Sequence, residues 1–192
     1  MDDQLTAVLA DAIARLGAAA RDRHTAMHTP AVGTTDADVR VMVLRAFEEA
    51  SSTMRFHLDA RSPKRAVIEA DPLIGVLFYD KAAGLQLRCR GQGRVERDGA
   101  VADAAWLASD PYARRCYLGA APGEESDSPT SGLPDWIAGK RPTEEQLVAA
   151  RINFAILLVE VEEIDWFSLA HNGHRRAIFR GSDDWRGQWI AP

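Results

Sequence analysis

The sequence lacks the features that mark several large classes of protein. Its 192 residues include 23 basic and 28 acidic side chains, and the net charge of −5 offers no positive field to nucleic acid or to an anionic membrane. The longest uninterrupted apolar run, residues 154–159, is too short to cross a bilayer. The N-terminus is acidic where a secretory signal would be basic. We therefore expect neither a nucleic-acid-binding nor a membrane protein.

Cysteine is scarce, since Cys89 and Cys116 are the only two. They do not have the spacing of metal ligands, so no bound metal is expected. Two thiols without a secretory signal are typical of reduced cytoplasmic proteins, and a cytoplasmic location is therefore predicted. Both cysteines are interpreted as small, buried core residues.

Glycine-rich phosphate loops and internal repeats are absent as well. Neither a Gly-x-Gly-x-x-Gly fingerprint nor a Walker motif occurs, which removes the two commonest glycine-based phosphate sites. What the sequence does have is an apolar fraction of 46% and a length that suits one domain with a substantial core. We expect a single domain spanning residues 1–192.

Helical periodicity is confined to a few segments. Residues 2–21 are predicted to form a helix that covers a sheet, with Asp2 or Asp3 as its N-cap. A second helix is predicted at residues 63–70 with Pro63 in its first position, and residues 100–118 also have helical character. Thr143 and Gln146 have the spacing of a capping box at the start of a further helix.

The remaining periodic segments indicate strands at residues 25–32, 39–47, 54–58, 73–79, 85–95, 154–161, 165–170 and 175–179. The almost wholly apolar run 73–79 predicts a strand buried on both faces. Gly91 and Gly93 indicate a bulge or a tight bend. These strands with short helices predict a mainly β fold, a β-barrel with flanking helices, and residues 119–142 are expected to form a mobile loop beside the site.

A phosphate site without a glycine loop needs side-chain cations and a helix start. Arg40 and Arg45 on one strand, with Arg61, Ser62 and Lys64 at a helix start, supply such a set. Arg40 and Arg45 are five residues apart, so a straight strand would direct them to opposite faces. They reach one ligand only if the strand twists or bulges, or if one of them acts across a dimer interface.

Four segments, in the same order, resemble the pyridoxamine 5′-phosphate oxidase family of FMN-binding split β-barrel proteins. They are the strand Arg40-Val41-Met42-Val43-Leu44-Arg45, the segment FHLDARSPK at residues 56–64, the strand LQLRCRG at residues 85–91, and the C-terminal segment with Trp166, His174, Arg176 and a terminal Ile-Ala-Pro. The resemblance covers residues 38–96 and 154–192. It implies a split β-barrel, a homodimer with FMN at the interface, and oxidoreductase activity on a small-molecule substrate.

The resemblance also implies the residues of the site. Arg40, Arg45, Ser62 and Lys64 would bind the phosphate and ribityl groups, Gln86 would hydrogen-bond the ring system, and Trp166 and Arg176 would bound it, often from the other subunit. The full set implied for cofactor binding is Arg40, Val41, Met42, Val43, Arg45, His57, Leu58, Ser62, Lys64, Gln86, Trp166 and Arg176. Arg45, Asn172 and His174 would contact the substrate, with His174 as acid or base.

Three departures from the family pattern concern the ligands. Pro63 replaces a family arginine at the phosphate, and Asn172 replaces the arginine that faces the substrate, which removes a bidentate charged contact. The family's Tyr-x-x-x-Arg-x-x-x-Ser cradle for the substrate phosphate is not reproduced. FMN therefore stays the expected cofactor, with pyridoxamine phosphate only the leading candidate substrate. The alternatives are an FMN carrier or sensor without efficient turnover, and a split barrel that binds haem or a deazaflavin.

Overall fold

The computed structural model describes residues 3–192, and its centre is one antiparallel sheet curled into a half-barrel. The strands are β1 (Ala31–Gly33), β2 (Val39–Val41), β3 (Ala46–Glu48), β4 (Thr53–Asp59), β5 (Leu73–Asp80), β6 (Leu85–Glu96), β7 (Phe154–Ser168), β8 (Arg175–Arg180) and β9 (Gly187–Ile190). Their order is β2-β1-β5-β6-β7-β4-β3, and β8 pairs with both β7 and β9. The predicted split β-barrel, mainly β with flanking helices, is confirmed.

The long strand β7 causes the sheet to divide. Its first half pairs with β4 and its second half pairs with β8, while β6 runs along its other edge. The β6–β7 register shifts between Arg90 and Gly91. A Cβ atom on Gly91 would lie 1.9 Å from the carbonyl oxygen of Glu160, so the two backbones approach as only glycine permits. The predicted bulge is confirmed.

The helices lie around the half-barrel as α1 (Asp3–Arg21), α2 (Lys64–Ala70), α3 (Ala100–Ala108), α4 (Pro111–Arg114) and α5 (Glu144–Leu147), with 3-10 turns at Arg115–Leu118, Val148–Asn153 and Gly181–Asp183. Helix α1 covers β3 and β9, as predicted, and the proposed N-cap Asp2 lies outside the described residues. Helix α2 begins one residue later than predicted, so that Pro63 occupies its N-cap position and not its first helical position. Among the described residues, no helix is long and apolar enough to cross a membrane.

Two further helix predictions have different outcomes. The capping box is confirmed: the Gln146 amide donates to Thr143 Oγ1 over 3.3 Å, and the Thr143 amide donates to Gln146 Oε1 over 2.9 Å. The helical segment at residues 100–118 is interrupted, because α3 ends at Ala108 and Pro111 begins a separate short helix. A proline supplies no amide for a continuous helix and is favoured in a first turn.

Four strand predictions are wrong in their extent. Residues 25–30 form turns, including a bond from the His28 amide to the Thr25 carbonyl, and only the end of the predicted strand pairs. The predicted strand 39–47 divides into β2 and β3, because the chain exchanges one pairing partner for another between them. Conversely, segments 154–161 and 165–170 form the single strand β7, since backbone pairing continues through the polar residues between them. The strand β9 was not predicted.

Strand β5 also contradicts its predicted burial on both faces. Its side chains alternate, so that Ile74, Val76 and Phe78 are buried in the core while Leu73, Leu77 and Tyr79 are 53%, 41% and 48% exposed. An apolar strand sequence does not show whether the second face of the strand is buried or exposed, because that depends on whether another element packs against it.

Candidate cofactor groove

A groove of about 820 Å³ lies where β4, the connection between β2 and β3, the start of α2 and the helices α3 and α4 meet. Seven residues expected to contact the cofactor line it: Val41, Met42, Val43, Arg45, His57, Leu58 and Lys64. Alternation along β4 directs Arg55, His57 and Asp59 toward the groove and buries Phe56 and Leu58 more deeply. The sheet thus brings together side chains from three segments that are distant in sequence.

Lys64, Ser62 and Arg40 form a basic cluster beside the groove. Lys64 Nζ donates a hydrogen bond of 2.7 Å to Ser62 Oγ, and Ser62 is buried. Burial lowers the pKa of Lys64, and the positive charge of Arg40 lowers it further, so these two cations lie within electrostatic reach of each other. Arg40 donates to Thr34 Oγ1 over 3.0 Å and pairs with Asp38.

Arg40 and Arg45 do not lie on one straight strand, because the chain breaks between β2 and β3. The Met42 amide donates to the Pro30 carbonyl over 3.0 Å, whereas the Arg45 amide donates to the Arg55 carbonyl over 2.8 Å. The chain thus leaves the β1 side for the β4 side within four residues, and the alternation of a straight strand does not apply. Arg40 lies beside Lys64, and Arg45 lines the groove near His57.

The wall near His57 is strongly positive. Burial, together with the charges of Arg45 and Arg55, lowers the pKa of His57 to about 3, so the imidazole is neutral at physiological pH. His57 Nε2 and Arg55 Nε are both buried without a hydrogen-bond partner among the described residues. The His57 ring also meets Phe154 edge-on, with ring centroids 5.0 Å apart.

The opposite wall comes from α3, α4 and the turn that follows. Burial raises the pKa of Tyr117, whose ring packs edge-on against Phe154 and Trp106. Cys116 also lines the groove and is exposed, so its interpretation as a core residue is wrong, whereas Cys89 is buried as expected. The prediction failed for Cys116 because a single short helical turn gives no periodicity from which to assign a buried face.

Gln86, Trp166 and Arg176, which the resemblance also assigns to the cofactor, do not line this groove in the same chain. Gln86 and Arg176 flank Phe167 in register across β6, β7 and β8, on the outer face of the sheet. Trp166 belongs to the inner face, where it meets Trp189 at a centroid distance of 6.3 Å. Its indole Nε1 is buried with no hydrogen-bond partner among the described residues.

Arg176 is held on the outer face by a buried carboxylate. It donates two hydrogen bonds to Asp165, of 3.0 and 2.8 Å, and Arg88 reaches the same carboxylate at 2.8 Å. Burial raises the pKa of Asp165, but the hydrogen bonds from Arg176 and the charge of Arg88 outweigh it, and the net pKa lies below its ordinary value. The guanidinium of Arg176 therefore has a fixed orientation.

Asn172 and His174, the candidate substrate residues, lie on the exposed turn between β7 and β8. The His174 ring meets Phe167 edge-on at 5.6 Å, which puts it beside the outer-face row of Gln86 and Arg176. Neither residue lines the groove of its own chain.

Several groove residues were missed from the sequence: Arg21, Arg23, Arg55 and Tyr117. Arg55 had a usable signal, because it precedes His57 by two residues on a predicted strand and must share its face. Arg21 and Arg23 had none, since only the tertiary packing of α1 brings its C-terminal end to the groove.

Residues 4–97 match the sequence model of the family described as "Pyridoxamine 5'-phosphate oxidase, FMN-binding domain". Among solved structures, the chain is similar to a pyridoxamine 5′-phosphate oxidase-related, FMN-binding protein from Nostoc punctiforme, with 21% identity, a TM-score of 0.74, and coverage of 95% of this chain and 96% of that one. It is also similar to PhzG from Burkholderia lata in complex with tetrahydrophenazine-1-carboxylic acid, with 16% identity, a TM-score of 0.63, and coverage of 97% and 92%.

A protein from Clostridium acetobutylicum related to general stress protein 26 has 9% identity and a TM-score of 0.54, with coverage of 93% of this chain and 97% of that one. No curated protein matches the chain. At these identities the similarity to solved structures establishes the fold.

Proposed function

We propose that the chain, whose residues 4–97 match the model of the pyridoxamine 5′-phosphate oxidase FMN-binding domain, is a member of that family of FMN-binding split barrels and an FMN-dependent oxidoreductase acting on a small molecule. The groove beside β4 would hold the flavin. When bound, FMN would supply hydride transfer at its ring system, while the protein would supply position and electrostatic field.

The observation that carries this proposal is the basic cluster of Arg40, Ser62 and Lys64. Lys64 is half-buried and lies near Arg40. The charges of Asp38 and Asp59 act on it less than that of Arg40, and no carboxylate lies within ion-pair distance of it among residues 3–192. Two neighbouring cations repel each other, and partial burial weakens the screening by water. A phosphate dianion would remove both penalties, and the Ser62 hydroxyl would add a donor.

A second copy of the chain would complete the site. Strands β2 and β5, which flank β1, expose five large apolar side chains on the outer face of the sheet: Val39, Val41, Leu73, Leu77 and Tyr79. Register places Val41 and Leu77 on either side of Ala31, and Tyr79 beside Gln86. A contiguous exposed apolar surface of this kind favours protein association.

The same outer face adjoins the groove, because Val41 belongs to both. A partner docked on this face would border the groove with its own side chains. We propose that Gln86 and Arg176 reach the flavin in this way, from the second subunit. Trp166 does not, because it is buried on the inner face of its own chain. Asn172 and His174 would accompany Gln86 and Arg176 to the substrate side, where His174 would act as acid or base.

The substrate proposal is broader than pyridoxamine phosphate. Asn172 offers neutral hydrogen bonds and no charge, so it cannot replace a bidentate arginine contact to an anion. Pyridoxamine phosphate is the first donor to test, and an aromatic carboxylic acid of the kind in the PhzG complex is the second. A cytoplasmic location belongs to the same proposal and rests on the two cysteines without a disulfide.

Anaerobic titration of the purified, FMN-loaded protein tests this function. Bound FMN should give visible flavin bands at one FMN per chain, and at least one donor or reductant should bleach them. Failure to retain FMN would reject the proposal. Bound flavin that no donor, nicotinamide reductant or acceptor converts would instead indicate a carrier or sensor.

A further inference from the structure

We infer that the groove contains an anion subsite, formed by Arg21, Arg23, Arg45 and Arg55, which binds the carboxylate or phosphate group of the small-molecule substrate. This inference rests on the proposed function, since it assigns the substrate class of the same groove. It adds three arginines that neither the sequence motifs nor the cofactor assignment used.

The charge of the anion subsite is not compensated by the protein. None of its four arginines forms an ion pair with a carboxylate within residues 3–192. The two acidic residues that line the groove are already engaged, since Asp59 pairs with Arg61 at 2.7 Å and Asp110 pairs with Arg141 at 2.9 Å. An excess of positive charge therefore persists here in a chain whose net charge is −5.

Arg55 is the member of the anion subsite that most directly favours an anionic ligand. It lies on β4 with its Nε atom buried and without a hydrogen-bond partner in the described chain. Burial lowers its pKa, because the charged guanidinium has lost part of its hydration. A buried donor without a partner costs free energy, more so when it is charged, and an anionic oxygen would recover that cost.

His57, the neighbour of Arg55 on the same face of β4, cannot neutralise its charge. His57 is a neutral imidazole with an unpartnered Nε2, and the charges that lower its pKa are those of Arg45 and Arg55. Its low pKa reflects the same positive field. An anionic ligand could accept from Arg55, and its field would favour a proton on His57.

The FMN phosphate would not occupy the anion subsite, because the phosphate cluster lies at the other end of β4. The charges that act on Lys64 are those of Arg40, Asp38 and Asp59, whereas those that act on His57 are Arg45 and Arg55. Arg55 and Asp59 are four residues apart along β4, or roughly 13 Å at the rise of an extended strand. Two anionic groups can therefore bind one groove at separate arginines, with Arg45 assigned to the substrate anion rather than to the FMN phosphate.

The apolar side chains that line the groove indicate the chemistry of the uncharged part of the ligand. Met42, Leu58 and Ala105 line the groove together with the ring of Tyr117. These side chains suit a small apolar or aromatic body, so the ligand class is a small organic acid or phosphate ester with an apolar part.

Calorimetric titration with three probes of similar shape tests the subsite. The probes are phenyl phosphate, benzoate and neutral benzamide, each titrated into the protein with and without FMN. Arg55→Gln and Arg23→Gln remove one charge each, and Arg186→Gln makes the same change at a residue that does not line the groove. Comparison of phenyl phosphate with benzoate distinguishes a phosphate-ester site from a carboxylate site.

We expect the Arg55→Gln variant to bind the preferred anionic probe about tenfold more weakly, with unchanged FMN affinity and with Arg186→Gln equal to wild type. Equal binding of benzamide and the anions, or equal anion affinity in wild type and Arg55→Gln, would overturn the subsite while leaving the flavin proposal intact. If FMN itself does not bind, the titrations without FMN still decide the matter, because the anion subsite is formed by the protein alone.

Discussion

Lys64 Nζ lies 2.7 Å from Ser62 Oγ, where the Ser-Pro-Lys segment turns into α2. The Ser62 amide is bonded to the Asp59 carbonyl, so the turn fixes the hydroxyl and the ammonium group side by side. Arg40 arrives from β2, about twenty residues earlier in the chain, and completes the cluster. The sheet thus brings side chains from two distant segments together into one basic cluster beside the groove.

His57 should make stability depend on pH. Its folded pKa of about 3 lies below the ordinary 6.5, so between these values the unfolded chain binds a proton that the folded chain does not. The stability that this residue contributes is therefore lost as the pH falls below about 6.5. From pH 7 to pH 5, wild type should lose about 2 kcal/mol more than His57→Gln, measured by urea denaturation of the FMN-free protein. His171→Gln, on an exposed turn, is the control, and equal pH dependence in all three proteins would contradict the prediction.

Asp165 should be essential for stability because two arginines depend on it. Asp165→Asn leaves Arg88 and Arg176 without their shared carboxylate and should lower the free energy of unfolding by about 2–4 kcal/mol, less than a fully buried pair would cost because both arginines are partly exposed. Glu162→Gln, at an exposed position on the same strand, should change it by less than about 0.5 kcal/mol. Urea denaturation measures both, and similar losses in the two variants would show that the buried network contributes little.

Gly91 should not tolerate a side chain. An added Cβ atom would meet backbone atoms of Glu160 and Val161, which cannot move aside without breaking the β6–β7 pairing. Gly91→Ala should therefore lower the free energy of unfolding by about 3 kcal/mol or prevent folding. At Gly75, an added Cβ meets nothing within 4 Å, so Gly75→Ala should be close to neutral. Thermal unfolding of both variants measures the difference, and a stable Gly91→Ala variant would mean that the bulge relaxes easily.

The sequence predicted most of what depends on local periodicity. The covering helix α1, the capping box at Thr143 and the bulge at Gly91 all follow from the chemistry of a few adjacent residues, and the structure confirms them. The two errors with consequences for function concern tertiary pairing. The division of strand 39–47 depends on which neighbour each half pairs with, and the open face of β5 depends on what covers it.

The residues of the candidate site also differ in whether the sequence could predict them. Residues close together in one motif, such as Ser62 and Lys64, could be assigned together from the sequence. The groove arginine Arg55 could have been inferred from its alternation with His57. Arg21 could not, because the motif pattern contains no information about where the end of α1 packs.

The uncovered sheet face should hold the proposed dimer together. Leu77→Asp buries a charge in the proposed interface and should convert the protein to a monomer that retains FMN poorly, as measured by light scattering and flavin absorbance. Val148→Asp makes the same change at a residue that is 73% exposed outside this face. A Leu77→Asp dimer, or a wild-type monomer that binds FMN fully, would contradict the interfacial site.

Calorimetric comparison of FMN with riboflavin tests the central claim, since the two ligands differ only by the phosphate. Wild type should prefer FMN, and Lys64→Ala or Arg40→Ala should each weaken FMN binding by about 1–3 kcal/mol while leaving riboflavin binding unchanged. Lys81→Ala, at an exposed turn, should bind both ligands as wild type does. If wild type binds the two ligands equally, or if Lys64→Ala weakens both by the same factor, the phosphate does not lie at this cluster.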